Sequence, residues 1–238
     1  MIISHKHKFI FLKTKKTAGT SIEIALSKIC DQNDIVTTIK EDPLRIAEGG
    51  RPGRNIPQSW RNSLISARGL RTLLTRGRRP WLLHHHVRAP LIKEFVGPEV
   101  WRDYLKISIE RNPWDRIISQ YYFQLGIRKN SEKRPELKSI SDFIQYYALK
   151  KPESITNWPI YTINNNIVAD YMLFFENLNG SLNRLKEYLG IEIKLPEQRV
   201  KGNYRKCNLE YKKILSNRDV RLIAKVCHRE IEAFGYKF

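Results

Sequence analysis

The sequence predicts an α/β fold, with a central, mainly parallel sheet flanked by helices on both faces. Short apolar runs alternate along the chain with stretches whose apolar residues recur at helical spacing. No segment repeats at a solenoid period, so the alternation belongs to one sheet and its crossovers and not to a stacked array. The chain has 238 residues, 41% of them hydrophobic and 11% aromatic, which is ample for a buried core.

The elements follow in order. Phe9-Ile10-Phe11-Leu12 reads as a buried strand. Thr20 to Cys30 follows as a helix with Ile22, Ala25, Leu26 and Ile29 on one face. Asp34 to Ile39 is a second strand. Residues 41–57, rich in proline and glycine, read as a loop. Ser59 to Leu74 carries a helical pattern interrupted by Gly69, and Pro80 to Leu83 reads as a short strand. Pro90 to Tyr104 is mostly helical, and Leu105 to Ile109 is a strand. Pro113 suits the first turn of a helix running to about Phe123. Residues 126–139 are polar and read as a mobile loop, ahead of a helix over Ile140–Leu149. Asp170 to Phe175 is a strand. Leu178, Leu182, Leu185 and Leu189 define a helix that stops at Gly190. Val220, Ile223, Cys227, Ile231 and Phe234 predict one last helix, ending at Gly235.

Charge and cysteine usage narrow the function. Lys+Arg 43 against Asp+Glu 24 gives a net charge of +19, which favours anionic partners. The cysteines, Cys30, Cys207 and Cys227, are scattered and never form a CxxC pair, so neither a disulfide framework nor a cysteine zinc site is expected. No apolar run approaches the roughly 20 residues of a spanning helix, and the first residues do not form a secretory signal. A cytoplasmic location with no membrane span is the expectation.

The strand at 9–12 leads into Lys13-Thr14-Lys15-Lys16-Thr17-Ala18-Gly19-Thr20-Ser21, where a helix starts. A helix N-terminus after a small-residue loop presents unpaired N–H groups and the positive end of the helix dipole to an anion. Thr20 and Ser21 can donate hydroxyls, Ala18 and Gly19 allow close approach, and Lys16 supplies a point charge. GxxxxGK[ST] is absent, so a Walker-type ATPase or GTPase is not indicated. The plain structural alternative is a helix capped by Thr20 or Ser21. Farther along, Arg111 ends a strand and opens a helix carrying Asp115, Arg116 and Ser119. Its guanidinium can fork onto a phosphate, with Ser119 two turns on as a second donor. The plain alternative is an Asp115 salt bridge.

Together these segments resemble the sulfotransferases that use 3′-phosphoadenosine 5′-phosphosulfate (PAPS), in particular the carbohydrate-directed branch with the heparan sulfate 2-O-sulfotransferases. Lys15 to Ser21 resembles the 5′-phosphosulfate loop PKTAGTS, and Arg111 to Tyr121 resembles the 3′-phosphate element RNPxxRxxSxY. Phe174-Phe175-Glu176-Asn177-Leu178 and the ending Ala233-Phe234-Gly235-Tyr236-Lys237-Phe238 match two more family segments, in the family's order. The resemblance implies a P-loop-like sulfotransferase domain over 1–238, PAPS as donor, 3′-phosphoadenosine 5′-phosphate (PAP) as product, a hydroxyl acceptor and no metal. It assigns Lys13, Lys15, Lys16, Thr17, Ala18, Gly19, Thr20, Ser21, Arg111 and Ser119 to the cofactor. Tyr204 and Arg205 join them as part of a basic C-terminal loop. Two positions depart from the pattern. Lys15 replaces a proline, and Glu110 replaces an apolar residue and has to be paired or turned away from the phosphates.

Sulfuryl transfer needs a base to take the acceptor proton, and histidine is the side chain best tuned for that near neutral pH. His84-His85-His86-Val87 resembles the His-x-His-Val of the 2-O-sulfotransferases, which points to His86 and then His84, with Lys16 also catalytic. If the segment leaves a strand, 84 and 86 share a face and 85 does not. A glutamate base is the rival, but Glu23 is badly placed for it, on a helix leading outward from the loop. Residues 51–90 hold nine arginines and no Asp, Glu or Lys. They suit an acceptor wall for an anionic glycan or other acidic acceptor, or else a solvated basic face. No recognised nucleic-acid motif is present. A basic, non-catalytic polyanion-binding protein remains the alternative at this stage.

Overall fold

The computed structural model describes residues 1–56, 83–127, 135–197, 200, 204 and 210–238. Strand β1 (Ile2–Ser4) pairs antiparallel with β2 (Phe9–Leu12), and the chain then enters α1 (Gly19–Ser27). β3 (Ile35–Val36) pairs antiparallel with β1 and is followed by the short helix α2 (Asp42–Ala47). α3 (Ala89–Asp103) leads to β4 (Leu105–Glu110), which lies parallel to β2. α4 (Pro113–Ile127) and α5 (Ile140–Lys150) come next. β5 (Thr162–Ile163) and β6 (Asn166–Ile167) form a small separate hairpin. β7 (Tyr171–Phe174) closes the sheet, parallel to β4, so the strand order is β3-β1-β2-β4-β7. The chain finishes with α6 (Leu178–Leu189), α7 (Tyr211–Ile214), α8 (Asn217–Val226) and α9 (His228–Phe234).

The core strands β2, β4 and β7 are parallel, as expected, and an antiparallel edge makes the sheet mixed. Alternation along the strands sends side chains to opposite layers. Phe9, Phe11, Ile107, Ile109 and Leu173 pack with Ile22, Ala25 and Leu26 of α1 and with Leu182 and Leu185 of α6. Ile10 and Leu12 pack on the other face with Val87 just ahead of α3, with Ala89 and Ile92 at its start, and with Trp158 and Tyr161. Each fully buried side chain of this size contributes about 1.5–3 kcal/mol through removal from water. A third cluster joins Trp114, Ile118 and Tyr121 of α4 to Phe143, Tyr147 and Ile223. That packing leaves Asp115, Ser119 and Phe123, four residues apart, as a stripe along α4.

Several expectations change. α2 interrupts the predicted loop over 41–57. Pro43 stands in its first turn, where proline suits a helix and does not break it. The last helix is two, because Cys227 leaves helical geometry between α8 and α9. Gly97, at φ 80°, breaks α3 just before Pro98. Residues 126 and 127 belong to α4 and 135–137 to a 3₁₀ turn, so less of 126–139 is loop than predicted; 128–134 lie outside the described residues. The helix over 59–74 and residues 80–82 also lie outside them, and Leu83 is not in a strand.

Candidate active site

α1 starts at Gly19, and its first internal bond runs from Ile22 N–H to the Ala18 carbonyl, 3.2 Å. The amides of Gly19, Thr20 and Ser21 therefore have no intrahelical acceptor. The N-cap is Ala18, whose side chain cannot cap, and the first turn holds no acidic residue. The expected alternative, a cap by Thr20 or Ser21, does not occur. Both Lys16 (φ 60°) and Ala18 (φ 61°) adopt the left-handed region, a cost of about 1–3 kcal/mol each that the surroundings have to offset. Successive bends of this kind make anion-binding concavities from backbone N–H groups. The surroundings hold the loop firmly. Thr14 donates its hydroxyl to the Ile109 carbonyl (2.5 Å), and Thr17 donates to the Thr14 hydroxyl (2.7 Å). A Cβ on Gly19 would meet Lys13 Cγ at 3.0 Å, so the helix start needs glycine to sit this close to the strand end.

Arg111 joins the second motif to this loop. Its Nη1 donates to the Lys16 carbonyl (3.1 Å), and its Nε and Nη2 donate to Asp115 Oδ2 (2.9 and 2.5 Å). The guanidinium lies 3.9 Å over the Phe175 ring. Asn112 donates its backbone N–H to Glu176 (2.6 Å) and its side-chain amide to the Lys237 carbonyl (3.3 Å). The four segments that carry the family resemblance thus meet around Arg111 and Asn112. Lys16 sets its ammonium 4.0 Å over Phe123, and Tyr204 meets the same ring edge-on at 5.1 Å. Gly126 makes room for Tyr204, since a Cβ there would come 2.4 Å from that ring. Ser119 sits half-buried between Asp115 and Phe123 on the α4 stripe. Arg205 lies outside the described residues.

The histidines stand in a turn ahead of α3, not at a strand end. His84 and His86 nevertheless line one cavity of about 670 Å³, together with Lys15, Arg88, Gln120, Gln124, Tyr147 and Lys151, and His85 does not line it. His86 Nδ1 lies 3.0 Å from the Lys13 carbonyl. A carbonyl only accepts, so Nδ1 carries the proton and Nε2 holds the lone pair. His84 Nδ1 accepts the His86 backbone N–H (3.1 Å), which leaves its proton on Nε2. Burial, then His85 and Lys13, push His86 well below the usual imidazole range and keep it neutral. Burial and Lys13 lower His85 to about 3.

A family model, the sulfotransferase family, matches residues 1–237. The chain belongs to the sulfotransferase family. An uncharacterised protein of Archaeoglobus fulgidus is 28% identical over 115 residues, which are 45% of this chain and 82% of that protein. The crystal structure of mouse sulfotransferase SULT7A1 complexed with PAP aligns with 94% of this chain and 84% of its own at 13% identity, with a TM-score of 0.44.

Within this sulfotransferase some predicted residues take other roles. The Lys13 side chain is 3% exposed, packs beside Gly19 at the helix start and is ion-paired with Glu23, and the Lys13 carbonyl meets His86. Glu23 is fully buried against Lys13, Arg45 and the Met1 amine. Burial alone would raise its carboxyl, but those cations outweigh it and hold it far below the usual range, so it is no base. Glu110 is fully buried and paired. Tyr161 donates to it (2.9 Å) and Arg116 lies 3.5 Å away, and burial raises its carboxyl. Of the nine arginines, Arg51 and Arg54 hydrogen-bond the carbonyls of Cys30 and Asp31, and Arg88 lines the cavity; the other six lie outside the described residues.

Asn157 was missed. Its Oδ1 accepts from Lys15 N–H (3.0 Å), and its Nδ2 donates to the Lys15 carbonyl (3.2 Å) and to Glu110 (3.2 Å). It is 142 residues from Lys15, so no local pattern could reveal it. Among the described residues, no group of three or more His, Cys, Asp or Glu is placed to share a metal ion, and no helix is long and apolar enough to cross a membrane.

Proposed function

We propose that this sulfotransferase takes PAPS as donor and sulfates a hydroxyl of a saccharide, with His86 as the general base, in the manner of the heparan sulfate 2-O branch. The single observation that carries the reading is the hydrogen bond from His86 Nδ1 to the Lys13 carbonyl. It joins the candidate base to the first residue of the candidate donor loop.

The residues present fit the donor. The start of α1 turns its first-turn amides out of the intrahelical ladder and carries no carboxylate there, which suits the 5′-phosphosulfate. Arg111 and Ser119 suit the 3′-phosphate, and Lys16 with Arg111 supplies the positive charge that magnesium supplies to kinases, so no metal is invoked. When bound, PAPS supplies the sulfuryl group and leaves as PAP. The work of the chain is to hold, orient and move a proton. The loop amides and Lys16 stabilise charge that develops on the departing phosphate side. The cavity positions the acceptor hydroxyl. His86 Nε2 takes the hydroxyl proton, and the Lys13 carbonyl keeps the ring in the tautomer that can do so.

A transfer assay with labelled PAPS across glycans, small alcohols and phenols tests the reading. Labelled saccharide is the expected result, with the rate unchanged by a metal chelator. Transfer to phenols alone overturns the saccharide assignment, and no transfer with no PAP binding overturns the donor.

A further inference from the structure

Asn157 meets the donor loop with every polar group engaged. Its backbone N–H donates to Glu230 Oε1 (3.1 Å), and its backbone carbonyl accepts from the Ile160 N–H (2.8 Å). Its side chain is fully buried. Oδ1 accepts from the Lys15 N–H (3.0 Å), and Nδ2 donates to the Lys15 carbonyl and to Glu110 Oε1, each at 3.2 Å. A backbone N–H only donates and a carbonyl only accepts, so the Lys15 peptides themselves fix which end of the amide is oxygen. One side chain thus holds both peptide planes that flank Lys15. That grip bears on the next residue. Lys16 has φ 60°, a conformation that persists only where the surroundings over-determine it. The peptide before Lys16 is fixed through the Lys15 carbonyl on Asn157, and the peptide after it through the Lys16 carbonyl on Arg111 (3.1 Å). In a trans peptide the N–H and the carbonyl point opposite ways, so the Lys16 N–H is turned away from Asn157 and the Thr17 N–H away from the Arg111 guanidinium. Both holders lie outside the loop: Arg111 follows β4, and Asn157 precedes a 3₁₀ turn over Trp158–Ile160.

We infer that Asn157 is a positioning residue of the donor site: by clamping the Lys15 peptide on both sides it holds Lys16 in its left-handed turn, and so sets the loop backbone before the 5′-phosphate arrives. The inference rests on the proposed reading of residues 15–21 as the donor loop. The departure of this chain at Lys15 explains why a clamp is needed. A proline there fixes its own φ through the ring and has no N–H to give. Lysine lacks that constraint, and its N–H is the group that Asn157 takes. The clamp therefore supplies through hydrogen bonds the rigidity that a ring supplies covalently. Its anchorage suits the task. The Thr156 hydroxyl (2.5 Å) and the Asn157 N–H share Glu230 Oε1, and Tyr161 donates to the Glu110 carboxylate (2.9 Å) that receives Asn157 Nδ2.

Two ligands and one amide test this. PAP and adenosine 3′-phosphate, which lacks the 5′-phosphate, are each titrated by calorimetry into the wild-type chain, Asn157→Ala and Tyr161→Phe. Asn157→Ala should weaken PAP about tenfold, the scale of one or two lost hydrogen bonds, and leave adenosine 3′-phosphate nearly unchanged. Tyr161→Phe removes another donor to Glu110 without touching Lys15, so it should lower the melting temperature and keep PAP affinity. Amide hydrogen exchange in the ligand-free chain reads the clamp itself: the Lys15 N–H should exchange about tenfold faster in Asn157→Ala than in the wild-type chain. The double variant Lys15→Pro with Asn157→Ala should bind PAP more tightly than Asn157→Ala alone, because the ring replaces the clamp. Should Asn157→Ala fail to fold, Asn157→Asp carries the same ligand comparison, since it keeps an acceptor for the Lys15 N–H and loses the donor to the Lys15 carbonyl. Equal weakening of both ligands, a PAP loss of the same size in Tyr161→Phe, an unchanged Lys15 amide, or no recovery in the double variant overturns the inference. Absence of PAP binding to the wild-type chain overturns the donor reading instead, and the amide measurement, which needs no ligand, keeps the two failures apart.

Discussion

A backbone carbonyl and a backbone amide decide between two imidazoles. The Lys13 carbonyl fixes the His86 proton on Nδ1, and the His86 amide fixes the His84 proton on Nε2. Only His86 then has its outer nitrogen ready to accept. His86→Ala should lower turnover by about 10²–10⁴-fold with PAP affinity nearly unchanged. His84→Ala should lose less. His85 sits edge-on to His86 at 4.4 Å, so His85→Ala should show a partial loss through a looser ring and not the near-neutral outcome that a strand would predict. Single-turnover transfer beside PAP titration separates these effects, and full activity in all three variants would move the base elsewhere. The pH profile adds an independent check. A base works when neutral, so transfer falls as pH drops through its pKa. Burial places that limb below the ordinary 6.5, and the rate should still hold at about pH 6. An acid limb at 6.5 or above contradicts the buried, neutral His86. Lys16→Ala should cut turnover by about 10²–10³-fold, the usual cost of removing one preorganised donor to developing charge. Unchanged turnover in that variant removes the loop assignment.

At the level of elements, the turn from β4 into α4 is what joins donor recognition to the fold. Arg111 is held by Asp115, by Phe175 and by the Lys16 carbonyl, so its guanidinium is positioned before any ligand arrives. Arg111→Ala and Ser119→Ala should both weaken PAP while barely changing adenosine 5′-phosphosulfate, which lacks the 3′-phosphate. The arginine variant should lose more, because it also removes the guanidinium that offsets the Asp115 carboxylate near an anion. Equal losses for both ligands in calorimetry would show that neither residue reads the 3′-phosphate. This turn was legible in the sequence because its parts are contiguous: Pro113 opens the helix, and Asp115 and Ser119 follow at fixed helical offsets. The loop before α1 was legible for the same reason. β1 was not, since three residues are too short to show a period. The break at Cys227 was hidden because Val220 to Phe234 keep one apolar stripe through it. The roles of Asn157, and of Met1 and Arg45 around Glu23, come from contacts distant in sequence that no local spacing encodes.

Two buried ionic clusters brace the whole molecule around the site. Glu110, Arg116 and Glu230 tie β4 to α4 and α9. Glu23, Lys13 and Arg45 tie α1 to the end of β2 and to α2. Removing one member of such a cluster is far more disruptive than losing a surface pair, because the partners stay buried with their charge uncompensated. Glu23→Gln leaves Lys13 and Arg45 in that position, and both are almost fully buried. The variant should therefore lose about 3–5 kcal/mol of folding stability, read by denaturant unfolding at neutral pH. The acid dependence of stability has a defined sign. The folded carboxyl is held below its unfolded value of 4.5, so its contribution is present above pH 4.5 and is lost as pH falls from there through the lower folded value. Glu23→Gln has no such proton to bind, so its stability should depend less steeply on pH below 4.5 than the wild-type chain's does. The Lys13 carbonyl that orients His86 belongs to the residue Glu23 anchors. The folded fraction of the variant should accordingly keep PAP binding but lose turnover as that carbonyl shifts. Wild-type stability in Glu23→Gln, or an unchanged acid slope, would show that the cluster does not hold the loop in the way its burial and charges require.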